Sequence, residues 1–322
     1  MSQRKNKISN DEIKQTESST TIIGEKKIKF ESPPHEFIGL RLLRFIAIVL
    51  WAITATVIVW MSVPFNYISD PILKKFNVKR RYFLLEFLSR MWGKGLLWIM
   101  NIKVITEGLE LYDDFKEQPS VLAYSHTSYL DPVILQGYSP IPCKFIFKRE
   151  LLYIFPMVFL LAHIVGHIPI NRKKKHSAIE SINEAAEAMI KKDICVAVSP
   201  EGTRSKDGNL KEFKKGPFHL SLKSKSNIVP VVFFGNYQLW KSSCFFPYSG
   251  TVCIRFLPTI QLEKDDTVES LSGRVRESML KSLHKPPKNF NPFCETGSSH
   301  TIFYLILMGT IIFSTLKFFS II

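Results

Sequence analysis

The chain has 322 residues, 46% of them hydrophobic and 22% charged, with a formal net charge of +15. Mean hydropathy is slightly positive at +0.06, so the apolar residues must be gathered into segments, which excludes an ordinary soluble chain; the length admits one large domain or two small ones. Five scattered cysteines without a CxxC pair exclude a disulfide framework and a zinc knuckle, and fit a domain facing a reducing compartment.

Residues 1–35 are polar, rich in Lys, Glu, Ser and Thr, and end in Ser-Pro-Pro, the composition of a disordered tail. From Leu42 to Val63 the run LLRFIAIVLWAITATVIVWMSV carries one charge, Arg44, and has the length of a helix that crosses a hydrocarbon core. The long polar stretch ahead of it argues against a secretory signal. Pro64, Asp70 and Pro71 then predict a break. The stretch YFLLEFLSRMWGKGLLWIM, 82–100, places Glu86, Arg90 and Lys94 at helical spacing, which predicts an amphipathic helix at a membrane interface. Residues 36–100 therefore read as membrane-embedded N-terminal helices. Near the other end, 300–322 holds a run broken only by Lys317 and reads as a C-terminal transmembrane helix. Basic clusters at 79–81 and 172–175 match anionic lipid headgroups or phosphates better than nucleic acid in such a chain. Basic residues flank the first span on both sides, so the positive-inside rule assigns no orientation.

After residue 101 the pattern changes to short β-rich runs alternating with helical ones. SVLAYS, CKFIF, GHIPIN, ICVAVS, IVPVVFFG and TVCIRFL are strands; PVILQGY, ELLYIFPMVFLLAH, HSAIESINEAAEAMIKK and a segment near 267–284 are helices. This alternation predicts an α/β fold over 101–290, a mixed, mostly parallel sheet covered by helices, with its ligands at the carboxyl ends of the strands.

Three strand ends carry chemistry. After SVLAYS, the stretch SHTSYLDP sets His126 and Asp131 five positions apart. Two readings stand open for it: a base with its orienting carboxylate, or a helix start in which Asp131 caps backbone N–H groups ahead of Pro132. After ICVAVS comes PEGTRSKDG, 200–208, where two glycines and Glu201 flank Arg204. After GHIPI come Asn171 and Arg172. Arginine offers a planar fork of donors to phosphate, and a glycine lets backbone approach a ligand. No serine or cysteine stands in a G-x-S-x-G context, so the set suits attack by a substrate's own hydroxyl, assisted by histidine, without a covalent enzyme intermediate. His163 and His167 have the spacing of a zinc-binding helix, but the glutamate after the first His is missing, so no metal is expected.

Taken in order, SHTSYLDP, KREL, GHIPINR, PEGTRSKDGNLKEFKKGPFHL and IVPV resemble the 1-acylglycerol-3-phosphate acyltransferase family, with its H-x4-D, G-x-x-x-I-x-R, E-G-T-R and V-P motifs. The resemblance covers roughly residues 101–260. It implies His126 as general base and Asp131 as its orienter. It also implies Arg172, Glu201, Gly202, Thr203 and Arg204 as holders of the acceptor's glycerol phosphate, Lys148 as a further phosphate contact, and Pro230 as a pocket wall. Asn171 stands where the family often has an aspartate and Ser199 where an aromatic is common, which leaves the acceptor headgroup open.

The implied function is a membrane-bound transfer of a fatty acyl group from acyl-CoA, as co-substrate and without a cofactor, to the free hydroxyl of lysophosphatidate. The implied setting is phospholipid biosynthesis at the endoplasmic reticulum, with the active site facing the cytosol; the partners are acyl-CoA, a lysophospholipid and the bilayer, with no nucleic acid. Another lysophospholipid or glycerol 3-phosphate is the alternative acceptor. A binding or scaffold module that keeps the fold is the competing class, and the presence of His126 speaks against it.

Overall fold

Seven strands form one sheet in the order β1-β7-β6-β2-β5-β3-β4. In chain order they are β1 Ile102–Glu107, β2 Val121–Tyr124, β3 Cys143–Lys148, β4 Ile168–Ile170, β5 Cys195–Val198, β6 Ile228–Phe234 and β7 Gly250–Phe256. Every neighbouring pair is parallel except β6 and β7, so the mixed, mostly parallel α/β sheet expected from the sequence is present. The computed structural model describes residues 27–34, 36–75, 83–114, 119–154, 162–171, 175–192, 194–293, 306 and 309–310. The chain divides into Met1–Phe30 and a unit Glu31–Ile322; every element below lies in the second.

The longer helices are α1 Ile38–Lys75, α2 Phe83–Ile99, α3 Leu130–Tyr138, α4 Lys175–Lys192, α5 Gly216–Ser224 and α6 Val268–Leu283. Alternation along the strands separates two cores. Leu122 and Tyr124 pack with Ile48, Leu97, Met100 and Ile134 of the N-terminal helices and α3. Val121 and Ala123 face the other way, toward Ala185, Phe218 and Val275 of α4, α5 and α6. The helices ahead of residue 101 thus cover one face of the sheet, and do not form a separate body.

Several sequence expectations change. The predicted break at Pro64 and Pro71 is absent, because α1 runs through both to Lys75; a proline removes one ladder bond and crowds the preceding turn, which need not stop a helix supported elsewhere. Its segment Ile38–Phe65 is long and apolar enough to cross a membrane, with mean hydropathy 2.4. Leu42, Ile46, Val49, Ile53, Val57 and Met61 form an exposed stripe on it. Arg44 lies on the opposite side, 1% exposed, with Glu36 accepting two of its bonds at 2.6 and 3.1 Å and the Pro247 carbonyl a third at 3.3 Å.

The charged stripe of α2 does not face outward as an isolated amphipathic helix would. Glu86 meets Lys144 at 3.5 Å and Lys94 sits over the Tyr138 ring, while Phe87, Met91 and Trp98 are the exposed side chains. Strand β1 and helix α5 were not foreseen: β1 is an edge strand with one buried position, and the Gly-Pro start of α5 reads as a turn. Residues 155–161, half of the expected helix after residue 150, lie outside the described residues, as do nearly all of the C-terminal transmembrane segment, the tail before residue 27 and the 79–81 cluster. Of the C-terminal segment Ile306, Gly309 and Thr310 are described, all helical.

Pro230 is buried in mid-strand. Its carbonyl accepts from Leu257, just past β7, so its missing N–H falls where the β6–β7 ladder, which begins at Val231, makes no demand on it. His167 is also structural: its Nδ1 accepts the Phe145 amide N–H at 2.8 Å, and burial, with nearby Lys144, pushes its pKa down to about 3. A neutral imidazole fixed as a backbone acceptor explains the residue without a metal.

Two glycines give a paired test of this packing. A Cβ on Gly95 would lie 2.2 Å from the Trp51 ring, where α1 crosses α2, whereas one on Gly273 in α6 would meet nothing within 4 Å. Gly95→Ala should therefore destabilise by about 1–3 kcal/mol, and Gly273→Ala should stabilise by about 0.5–1 kcal/mol through helix propensity. Thermal melts of the detergent-solubilised variants should move in opposite directions.

Candidate active site

The parallel strands β2, β5 and β3 end on one edge of the sheet, and the chain leaving them builds the site. His126 comes two residues after β2, and Asp131 is the second residue of α3. His126 Nδ1 lies 2.8 Å from Asp131 Oδ2. The same oxygen accepts the backbone N–H groups of Thr127 and Ser128 at 2.8 and 2.9 Å. Asp131 thus reaches back into the turn and caps no amide of its own helix, so the helix-cap reading of the motif falls. The amide of Leu130, at the helix start, donates instead to Ser128 Oγ at 3.1 Å.

Asp131 is fully buried, and the His126 side chain is 21% exposed. A carboxylate can only accept, so the proton of the imidazole sits on Nδ1 and the Nε2 lone pair is left for another group. The His126 backbone is held as tightly as its ring: its N–H donates to Glu201 Oε1 at 2.6 Å, and its carbonyl accepts from the Ser205 amide at 2.8 Å.

Glu201 follows β5 in the turn Ser199–Gly202. It is 1% exposed, and its second oxygen accepts the Lys211 amide at 3.0 Å. With one backbone N–H on each oxygen, it ties the β5 loop to the β2 loop. Burial raises its pKa from the ordinary 4.5 to about 7, opposed by the two amide bonds and reinforced by the charge of Asp131. Gly202 has φ +70°, a conformation that favours glycine. Thr203 is exposed and its Oγ1 accepts from Lys211 Nζ at 2.8 Å.

Arg204 turns back toward the histidine loop and lays its guanidinium 3.7 Å over the Tyr129 ring. No carboxylate pairs with it among the described residues. Tyr129 in turn packs against Trp240 with ring centroids 5.3 Å apart. Lys148 ends β3 on the same edge, half exposed and 3.7 Å from Glu150, and no described contact joins it to the His126 cluster. Arg172 lies outside the described residues.

Sequence reading missed Asn236, Tyr129 and Trp240. Asn236 stands against Asp131 and Thr127, 105 positions after its carboxylate partner; the only hint was a polar residue following Gly at the end of a predicted strand.

A family model described as Acyltransferase matches residues 103–234, the span that contains both loops. The 1-acyl-sn-glycerol-3-phosphate acyltransferase alpha of Ovis aries is 37% identical over 197 residues, covering 60% of this chain and 67% of the relative. The chain belongs to the 1-acyl-sn-glycerol-3-phosphate acyltransferase family. A Limnanthes douglasii enzyme with the same family name is 28% identical over 208 residues, 65% of this chain and 72% of that one. The crystal structure of the 1-acyl-sn-glycerophosphate (LPA) acyltransferase from Thermotoga maritima superposes with a TM-score of 0.55 at 20% identity, covering 74% of this chain and 98% of that one, which places the fold of this acyltransferase beside it.

The raised pKa of Glu201 makes a signed prediction. Ionising this group costs more in the folded acyltransferase than in the unfolded chain, so its contribution to stability is fully present below about pH 4.5, falls as pH rises toward about 7, and is level beyond. The difference in Tm between wild type and Glu201→Gln should therefore favour the wild type most near pH 5 and shrink toward neutrality. A difference that grows with pH would mean that the two amide bonds outweigh burial and that the carboxylate is the preferred form.

Proposed function

We propose that the protein transfers a fatty acyl group from acyl-CoA to the free hydroxyl of lysophosphatidate, giving phosphatidate. The observation that carries the reading is the 2.8 Å contact of His126 Nδ1 with buried Asp131, which leaves Nε2 as a base beside an arginine without a carboxylate partner among the described residues. His126 Nε2 takes the proton of the acceptor hydroxyl as its oxygen attacks the thioester carbonyl. A carbon–oxygen bond forms, the carbon–sulfur bond breaks, and the imidazolium returns the proton to the departing thiolate. Asp131 stabilises the imidazolium while it exists, as a buried anion in hydrogen-bond contact. Arg204, held flat by Tyr129, is set to receive the acceptor's phosphate through its fork of donors. Glu201 and Gly202 shape the loop that positions it.

The acceptor is supported by the names of the relatives, and acyl-CoA is the donor that the resemblance of the motifs implies. Membrane anchoring is supported by the Ile38–Phe65 segment and by the exposed apolar side chains of α1 and α2. An endoplasmic reticulum setting with the site on the cytosolic side completes the proposal; an epitope inserted near residue 208 should be digested by protease added to sealed microsomes, and a protected epitope would place the site in the lumen.

His126→Ala should lower kcat by about 10²- to 10⁴-fold, the usual contribution of an acid–base group, with melting close to wild type. An alanine variant that keeps more than about a tenth of the activity would remove His126 from the role of base. Arg204→Ala should lower kcat/KM for lysophosphatidate by about one to two orders of magnitude while acyl-CoA dependence changes less, and Arg204→Lys should recover part of the loss. Equal losses toward both substrates, with early melting, would mark Arg204 as a loop-holding residue instead. Running the same assay against other lysophospholipids and glycerol 3-phosphate checks the acceptor.

A further inference from the structure

We infer that Asn236 is a positioning residue for the reaction, acting on His126 through Asp131. The inference rests on the reading of His126 as the base. Strand β6 lies beside β2 and runs parallel to it, so the chain leaving β6 arrives where the chain leaving β2 forms the histidine loop. Gly235 ends that strand at φ +83°, and a Cβ there would sit 2.5 Å from the Thr251 carbonyl. This left-handed turn, open to glycine, sets the next side chain inward. Asn236 is 2% exposed. Its Nδ2 donates to Asp131 Oδ1 at 2.5 Å and to Thr127 Oγ1 at 2.8 Å; the amide orientation follows because the carboxylate can only accept.

The arrangement divides the work on the carboxylate between its two oxygens. Oδ2 serves the His126 ring and two backbone amides, and Oδ1 is fixed by Asn236. With donors on both oxygens the carboxylate cannot rotate about its own axis, so Oδ2 stays aimed at Nδ1. The residue type matters as well. A lysine or arginine here would neutralise Asp131 and weaken its hold on the imidazolium, whereas an amide fixes the carboxylate and leaves its charge intact. A buried donor is also required, since no water reaches Oδ1 to replace it.

A double-mutant cycle tests the inference on the full-length, detergent-solubilised protein with acyl-CoA and lysophosphatidate. Asn236→Leu keeps the volume and removes the donors; it should lower kcat by about 10- to 100-fold, the effect of losing one hydrogen bond to a charged group, with KM for both substrates within about twofold. In an Asp131→Ala background the same replacement should cost no more than about threefold, because its target is gone. Additive losses would overturn the inference and reduce Asn236 to a packing residue. Should Asn236→Leu melt too early to assay, Asn236→Ala reads the same cycle with a smaller side chain. The two readings separate cleanly: an active His126→Ala defeats the base itself, while an inactive His126→Ala with an additive cycle defeats the role of Asn236 alone.

Discussion

A carboxylate with no access to water has to find its hydrogen-bond donors within the protein, and that demand on Asp131 organises the site. Four donors meet it: the His126 ring, the amides of Thr127 and Ser128, and the Asn236 side chain. Three come from the loop after β2 and one from the turn after β6. They converge because β2 and β6 are parallel neighbours whose carboxyl ends share an edge. The loop after β5, on the other side of β2, supplies Glu201 to the His126 amide and Ser205 to its carbonyl. The histidine is therefore gripped by ring and backbone together, from three adjacent strands.

The apolar helix α1 joins this assembly directly. Arg41 donates to the Phe246 carbonyl at 2.6 Å and to the Tyr248 hydroxyl at 3.1 Å, and Arg44 reaches the Pro247 carbonyl through the same first turns of α1. The segment pinned in this way begins near Trp240, whose carbonyl accepts the Ser128 hydroxyl at 2.7 Å and the Tyr129 amide at 3.4 Å. A continuous path of contacts links the apolar helix to the loop that carries His126. The arginine that interrupts the apolar run is thus a buried fastening, satisfied by Glu36, and its charge is not left facing lipid.

Local patterns served well where a residue's environment depends on its own neighbours. The strands around SVLAYS, ICVAVS and IVPVVFFG and the helix at 175–192 all lie where apolar periodicity placed them. Reading failed where the environment was supplied from elsewhere. Charges on α2 marked a solvent or headgroup face, yet Glu86 and Lys94 meet Lys144 and Tyr138 of the domain behind them. Prolines at 64 and 71 marked a stop that the helix ignores. The two backbone amides that Glu201 accepts, from loops far apart in the chain, were likewise not visible in its own motif.

The sequence by itself determined the alternation that makes an α/β sheet and the long apolar segment ahead of it, because both follow from the periodicity of apolar residues along the chain. Only the tertiary structure decided that Asp131 reaches backward to the turn and not forward to its helix, that Arg204 rests on Tyr129, and that Asn236 completes the carboxylate's shell. The last two contacts join positions brought together by strand order, and strand order is set by the packing of two cores on opposite faces of one sheet, a property that no single segment of the chain encodes.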